Sequence, residues 1–258
     1  MTESQSAAAQ PTALEEAVGI CLAAADQGIT VRLAGGLAIQ YLTPEFPPRG
    51  GDRQDLDLAI ESSDRRPLTQ FLTERGYASD KNFNALYGHK QLYFQSAATS
   101  RSLDVLVDRL HMCHTVEFRG RLGRMPVTID LTDLVLSKLQ IVELNEKDAQ
   151  DVLYLLSAYP VRDGDEPGTI GLDRIRSIVG NDWGWWRTVT GNLDRIIALA
   201  GGDGRALVPE GGKRDAVGQL RALSEAIEAA PKSLRWKARA RVGDRVRWYE
   251  LPEETPHH

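Results

Sequence analysis

The chain has 258 residues, of which 42% are hydrophobic and 26% charged, and its formal net charge is −5. This composition is typical of a folded globular protein, and the acidic balance argues weakly against a protein that coats nucleic acid. No apolar run reaches the roughly 20 residues that a membrane span needs, so we expect no membrane partner. The first residues lack the features of a secretory signal, so we predict a disordered arm over residues 1–12 and a cytoplasmic protein.

Short helices and strands are predicted over the first half of the chain. Helical periodicity predicts helices over 14–26, 37–42 and 67–75. Apolar or alternating runs predict strands over 29–33, 56–60, 84–94 and 103–107, with small strands over 116–118 and 127–129. We expect the strands over 84–94 and 103–107 to be antiparallel members of one sheet. Residues 43–53 hold three prolines and two glycines and predict a loop.

Helical patterns dominate from residue 131 onward. The predicted helices are 134–144, 149–158, 172–179, 185–199 and 216–229, with a linker-like break over 160–168. The predicted fold class is therefore α+β. A domain with a mixed sheet covers residues 13–130, and a helical domain with a basic tail covers residues 131–258.

An acidic pair stands at the start of the strand predicted over 56–60. Asp55 and Asp57 are two residues apart, so on a strand both side chains point to the same face. Two neighbouring carboxylates repel each other unless a cation binds them, and their oxygens suit Mg²⁺, which also binds phosphates. A solvent-exposed strand edge explains the same pattern without any site, so the neighbouring features decide the interpretation.

Three further features accompany the acidic pair. Gly35 and Gly36 stand between a predicted strand and a predicted helix, where backbone N–H groups and the helix N-terminus favour a bound phosphate. Asp104 lies on a later predicted strand and completes a three-carboxylate site if the two strands are neighbours. Arg53, two residues before Asp55, is a candidate phosphate contact or a residue that fixes the loop.

Together these features resemble the signature of the DNA polymerase β-like nucleotidyltransferases. The stretches that carry the resemblance are Gly35-Gly36, Arg53-x-Asp55-Leu56-Asp57-Leu58 and Leu103-Asp104-Val105. The form with a leading Gly-Gly is most similar to the AbiEii and MenT type toxins. Residues 134–156, in which a lysine precedes a K-D-x-x-D helix, resemble the helical segment of the same group. The resemblance implies that the mixed-sheet domain is of the nucleotidyltransferase type.

The resemblance also implies roles for individual residues. Asp55, Asp57 and Asp104 would hold two Mg²⁺ (or Mn²⁺) ions, and Asp104 would act as general base. The residues implied at the nucleotide are Gly35, Gly36, Arg53, Lys138 and Asp151. Lys138 would contact the phosphates, with Asp148 or Asp151 supporting the site, whereas the alternative for Lys138 is a side chain that reaches water along an apolar surface.

The predicted function is a metal-dependent enzyme that moves an NMP from an NTP to an acceptor and releases pyrophosphate. The predicted acceptor is RNA such as tRNA, which would make the chain the toxin of a toxin–antitoxin pair with an antitoxin protein as partner. One alternative is nucleotidyl transfer to a small molecule, in the manner of the aminoglycoside nucleotidyltransferases. Another is an inactive binding module with a nucleotidyltransferase fold.

Other polar and aromatic clusters receive plainer interpretations. His89 is interpreted as a surface turn residue, and residues 111–114 (HMCH) as an ordinary loop. Two cysteines are too few for a disulfide framework. The tryptophans within 183–186 are interpreted as packing residues. Residues 232–247 hold seven Lys/Arg against one acidic residue and are compatible with an RNA-phosphate surface or with a solvated basic face.

Overall fold

Within residues 10–48, 55–202 and 207–251, which the computed structural model describes, the first half of the chain forms a five-stranded mixed sheet. The strands are β1 (Arg32–Leu33), β2 (Leu56–Ile60), β3 (Tyr77–Ser79), β4 (Gln91–Ser96) and β5 (Ser102–Val107). Their order is β1-β2-β5-β4-β3, with β2 and β5 parallel and the other neighbours antiparallel. The predicted antiparallel pairing of the strands near 94 and 103 is thus confirmed for β4 and β5.

Helices of the first half pack along this sheet. They are α1 (Ala13–Ala25), α2 (Gly35–Leu42), α3 (Arg65–Glu74) and α4 (Lys81–Tyr87). α1 begins at a capping box in which the side chains of Thr12 and Glu15 each accept a hydrogen bond from the other residue's backbone. Thr12 is therefore an ordered cap, while residues 1–9 of the predicted arm lie outside the described residues.

The segment predicted as one strand over 84–94 shows where the sequence interpretation is wrong. α4 occupies its first residues, and the strand starts only at Gln91. The side chain of Asp80 accepts a hydrogen bond from the N–H of Phe83 (2.9 Å) and so caps α4. Asn84 then ties the helix to β4, because its Nδ2 donates to the carbonyl of Tyr93 and its Oδ1 accepts from the Tyr93 N–H.

Three smaller predictions also need correction. The strand expected over 127–129 is a single bridge between Thr128 and Leu33. The break over 160–168 contains a short strand, β8 (Val161–Arg162), which pairs in parallel with β9 (Ile170–Gly171). The strand expected over 116–118 belongs to a hairpin of β6 (Arg109–His111) and β7 (Thr115–Glu117) that follows β5.

The second half is helical, as predicted. Its helices are α5 (Leu131–Leu139), α6 (Glu146–Ala158), α7 (Leu172–Val179), α8 (Trp183–Gly201), α9 (Ala216–Ala229) and α10 (Leu234–Ala240). The bounds predicted for α7 and α9 are confirmed. α5 begins and ends earlier than the predicted 134–144, because the side chain of Asp130 caps it by accepting from the N–H of Thr132 (3.0 Å).

A largely buried ion network fixes the start of α5. Arg121 donates to Asp133 on α5 (2.6 Å) and to Asp165 in the segment between β8 and β9 (2.7 Å). Arg124 donates to Asp130 (2.8 Å) and also contacts Asp165. Burial raises the pKa of Asp133 in spite of the neighbouring Arg121. The network therefore holds α5, which carries Lys138, against the segment that follows β7.

Buried apolar side chains form one contiguous core that extends from Ala13 to Ile227. α5 and α6 both contact α2, so the two halves pack together and the α+β class is confirmed. The domain division at residue 130 stays a prediction, since this core crosses it. Cys21 and Cys113 are buried free thiols. Among the described helices, none combines the length and apolar character that crossing a bilayer requires.

Candidate active site

The acidic residues of β2 and β5 are direct neighbours in the sheet. Asp57 is paired with Asp104 in the parallel register of these strands. Paired residues of adjacent strands point to the same face, and such strands lie about 4.8 Å apart. The expectation that the strands bearing the two residues are adjacent is therefore confirmed. Asp55, two residues before Asp57, lies on the same face at the start of β2.

The apolar residues of β2 and β5 determine which face carries the acids. Leu56 and Leu58 of β2 are fully buried, as are Leu103 and Val105 of β5. A shift of one residue would turn these side chains out of the core, so their burial fixes the register strongly. The alternation of the sequence thus directs the carboxylates away from the core formed by these side chains.

Two of the carboxylates accept short hydrogen bonds from neighbouring polar side chains. Ser102 Oγ donates to Asp55 Oδ1 (2.5 Å), and Gln91 Nε2 donates to Asp104 Oδ1 (2.5 Å). Asp55 is exposed, whereas Asp104 is only 8% exposed. No group of three or more His, Cys, Asp or Glu side chains is arranged for metal binding in the part of the chain that the structure describes. Ser102 and Gln91 therefore hold two of the carboxylates in position at the cleft.

The Gly-Gly turn lies directly against the acidic pair. The Ala34 N–H donates to the Asp57 carbonyl (2.9 Å), and α2 begins at the next residue, Gly35. Gly35 has a φ of +58°, and a Cβ placed there would come within 2.2 Å of Asp57 Oδ2. Only glycine fits this position without strain. Gly36 follows in the first turn of α2, where no side chain caps the helix.

A cleft of about 880 Å³ collects most of the predicted site residues. Those that line it are Gly35, Asp55, Asp57, Asp104, Lys138 and Asp148. Gly36 and Asp151 are not among the lining residues, and Arg53 lies outside the described residues. Residues from the sheet, from α2 and from α5 and α6 therefore meet at one concave site.

Lys138 is held by two acids of α6. Its ammonium lies 2.9 Å from Asp148 Oδ1 and 2.9 Å from Asp151 Oδ2. Lys138 is 9% exposed and Asp151 is 2% exposed, so the contact with Asp151 is almost fully buried. Asp148 and Asp151 are three residues apart and share one face of α6. The ammonium is thus oriented by carboxylates rather than extended into water, which was the alternative for this residue.

Several basic residues of the cleft escape prediction from sequence. His89, Lys90, Arg109 and His111 line the cleft on the side of β4 and β6. His89 is an exposed turn residue, as interpreted, and it also lines the cleft. His111 was interpreted as part of an ordinary loop, because the hairpin that carries it has no strong sequence signal. The position of Arg109, just after the strand that bears Asp104, was the available hint. Carboxylates and cations in one cleft suit a ligand that carries both metal ions and phosphates.

Two side chains fix His111 at the edge of the cleft. Its Nδ1 lies 2.7 Å from Thr115 Oγ1, and its Nε2 lies 2.8 Å from Glu250 Oε2. The following segment is buried: His114 Nε2 lies 2.8 Å from Thr188 Oγ1, and the His114 ring stacks on Trp185. Burial lowers the pKa of His114 to about 4, so its ring is neutral near pH 7.

Comparison with known proteins adds little to this geometry. No family model and no curated protein matches the sequence. One similar solved structure is an antigenic nucleotidyltransferase-like protein from Paracoccidioides brasiliensis, with 14% identity, a TM-score of 0.39 and coverage of 86% of this chain and 94% of that one. Another is the STING-associated CdnE c-di-GMP synthase from Capnocytophaga granulosa, with 13% identity, a TM-score of 0.27 and coverage of 88% and 84%. Likeness at these TM-scores carries no argument, so the site geometry has to support any function.

Proposed function

We propose that this chain is a nucleotidyltransferase that moves an NMP from an NTP to an acceptor hydroxyl. The observation that carries the proposal is the pairing of Asp57 with Asp104 on neighbouring parallel strands, beside the glycine turn that opens α2. The exposed-edge alternative for the acidic pair does not account for a glycine turn packed on Asp57. It also does not account for the 880 Å³ cleft that both carboxylates line.

The acidic residues fit divalent metal ions chemically. Asp55, Asp57 and Asp104 provide only oxygen ligands, which Mg²⁺ and Mn²⁺ prefer. Bound there, such ions would neutralise phosphate charge and lower the pKa of an attacking hydroxyl. Ser102 and Gln91 position two of these carboxylates by donating to them. Asp104, held by Gln91, is proposed as the general base that accepts the proton of the acceptor hydroxyl.

The remaining residues of the cleft are proposed to bind the nucleotide. The N-terminus of α2 at Gly35 presents backbone N–H groups and a favourable field to phosphate oxygens. Lys138 lies at the same cleft, and its ammonium has three N–H donors, of which Asp148 and Asp151 engage two. The third donor is proposed to bind an oxygen of the leaving pyrophosphate. Arg109 on β6 and Lys90 in the turn before β4 add positive charge to the cleft. Positioning and charge of this kind account for most of the catalysis in phosphoryl transfer.

The acceptor is proposed to be RNA, with tRNA as a candidate, because part of the basic segment 232–247 lines a groove that shares His111 and Thr115 with the cleft. A small cationic acceptor is the second candidate, since the net charge of −5 favours it. The role as a toxin and the antitoxin partner rest on the sequence resemblance alone.

Transfer of label tests the proposal. The protein is incubated in Mg²⁺ with each NTP labelled in the α-phosphate, first with total RNA and then with panels of small hydroxyl compounds. The expected result is label in one acceptor class. It should be lost in Asp57→Asn, which keeps the side-chain shape beside Gly35 but removes the charge.

The matched control is Asp194→Asn, which removes the same charge from an exposed position on α8, outside the cleft. The control should keep full activity. Circular dichroism should show both variants folded, since Asp57→Asn removes one of several like charges. Equal label transfer by the wild type and Asp57→Asn would refute the proposed role of the acidic pair.

A further inference from the structure

A second groove, next to the cleft, is built from the basic C-terminal segment. It has a volume of about 510 Å³. One wall is α10 with the chain that follows it, and the other is the start of α8 together with the β6–β7 hairpin. The aromatic and cationic residues that concern the argument are Trp183, Trp236, Trp248, Arg235, Arg239 and Arg247.

The tryptophans of this groove pack with each other and with arginine. Trp183 meets Trp248 edge to face, with ring centroids 5.9 Å apart. The Arg239 guanidinium lies 4.6 Å from the centre of the Trp183 ring and donates to the carbonyls of Gly243 and Val246. Packing is thus confirmed for Trp183, which is buried, and Arg239 serves mainly to fix the segment.

Other groups of the groove remain available to a ligand. Arg235 and Arg247 are exposed, and neither forms a salt bridge within the described part of the chain. The two exposed guanidinium groups are therefore donors that the phosphates of a ligand can reach.

Within the described residues, the acidic residues of the groove form local contacts and no salt bridge with Arg235 or Arg247. Asp182 caps α8, because its Oδ1 accepts from the N–H groups of Gly184 (2.7 Å) and Trp185 (3.1 Å). Glu250 is held by His111 at 2.8 Å. Both carboxylates are therefore engaged in local contacts, and the wall formed by residues 232–247 keeps its excess of positive charge.

The groove adjoins the candidate active site. His111 and Thr115 line both the groove and the cleft that contains Asp57 and Asp104. The β6–β7 hairpin, which carries both residues, is therefore the wall that the two share. A chain that extended from the groove across this hairpin would enter the cleft that contains the acidic residues.

We propose that the groove binds an unpaired stretch of a nucleic acid acceptor, with phosphates at Arg235 and Arg247 and a base near the tryptophans. This inference rests on the proposed function only in taking the bound strand to be the acceptor of the NMP, since the binding itself needs no catalysis. Positive charge interleaved with aromatic rings is the recognition chemistry of single strands. A duplex keeps its bases stacked on each other and leaves none for the tryptophans.

Fluorescence anisotropy of a short, unstructured, fluorescein-labelled RNA tests the inference. Binding is measured in EDTA without NTP, so that the result does not depend on catalysis. In Arg235→Gln/Arg247→Gln, affinity should fall roughly tenfold or more. The slope of log K against log salt should also fall by about 1.4, at roughly 0.7 for each phosphate contact of a single strand. The matched control is Arg195→Gln/Arg221→Gln, with two exposed arginines of α8 and α9 outside the groove, and it should bind like the wild type.

Competitors define the occupant. An abasic strand of equal length should bind roughly tenfold more weakly if stacking contributes, and a duplex should compete poorly. Unlabelled DNA of the same sequence shows whether the groove distinguishes the sugar, and either result with DNA supports a single-strand site. Three outcomes would overturn the inference. They are an equal loss of RNA affinity in the two double variants, equal affinity for the abasic strand and the RNA, and competition by free AMP as strong as by unlabelled RNA. If RNA binding follows the prediction but no label is transferred, the proposed function fails and the groove assignment stands.

Discussion

Replacement of Gly35 by alanine separates the cost of backbone strain from the effect on Asp57. Gly35 has a φ of +58°, where an L-residue costs roughly 1–2 kcal/mol. The new Cβ would also lie 2.2 Å from Asp57 Oδ2, whereas real Cβ atoms essentially never come closer than 3.0 Å. Oδ2 must therefore move by about 1 Å, a displacement that in a catalytic group costs roughly 100-fold in rate.

Gly28 provides the matched control. Its φ is +74°, and a Cβ there would meet no atom within 4 Å. Gly28→Ala should therefore carry the backbone strain alone. We expect both variants to lose about 1–2 kcal/mol of unfolding free energy in urea. Only Gly35→Ala should lose transfer activity, measured with the acceptor class found for the wild type.

Three outcomes with the two alanine variants would contradict the role of Asp57. If Gly35→Ala kept wild-type activity, Asp57 would not need its observed position, and its assignment to the active site would be wrong. If both variants lost activity in parallel with stability, the effect would be general destabilisation. A loss of stability in Gly35→Ala much beyond that of Gly28→Ala would show that Asp57 cannot move aside, and that the contact is mainly structural.

Two further predictions concern buried charge. Lys138→Met should lower the free energy of unfolding by roughly 3–5 kcal/mol, because it leaves Asp148 and Asp151 buried without their cation. Urea unfolding measures this loss, and Lys138→Met/Asp148→Asn/Asp151→Asn should recover most of the lost stability. His114 has a pKa of about 4, below its ordinary 6.5, so the unfolded chain binds more protons between these values and stability should fall as the pH drops from 6.5 to 4, by up to roughly 3 kcal/mol. His114→Phe should flatten that part of the stability profile, and an unchanged profile would mean that other groups produce it.

The parts of the fold that sequence predicts well are those with strong periodic patterns. β2 and β5 were predicted within one residue of their observed bounds, because in each strand an aspartate stands between buried apolar residues. The spacing of two also placed Asp55 and Asp57 on one face. The adjacency of β2 and β5 in the sheet followed from the resemblance rather than from spacing. The bounds of α7 and α9 follow from their regular apolar stripes.

The remainder depends on contacts that a linear pattern does not record. The sequence pattern predicts Asn84 in a strand, but Asn84 lies in α4, and its side chain forms hydrogen bonds with the backbone of Tyr93. Arg109 and His111 join the cleft only because a short hairpin folds back after β5. The two carboxylates that hold Lys138 lie on α6, whereas Lys138 lies on α5. The sequence around Lys138 therefore does not indicate that these acids compensate its charge.

The parallel pairing of β2 with β5 also bears on how the protein reaches its native state. These strands are separated in the chain by α3, β3, α4 and β4, so they meet only after a long loop closes, and such non-local pairings form slowly. This pairing brings Asp57 beside Asp104 and works against the repulsion between the two carboxylates. A divalent cation that binds this pair would favour the native state by mass action, in proportion to its concentration over its dissociation constant. The dependence of refolding yield on the concentration of such an ion would then measure how the pairing of β2 with β5 is linked to cation binding.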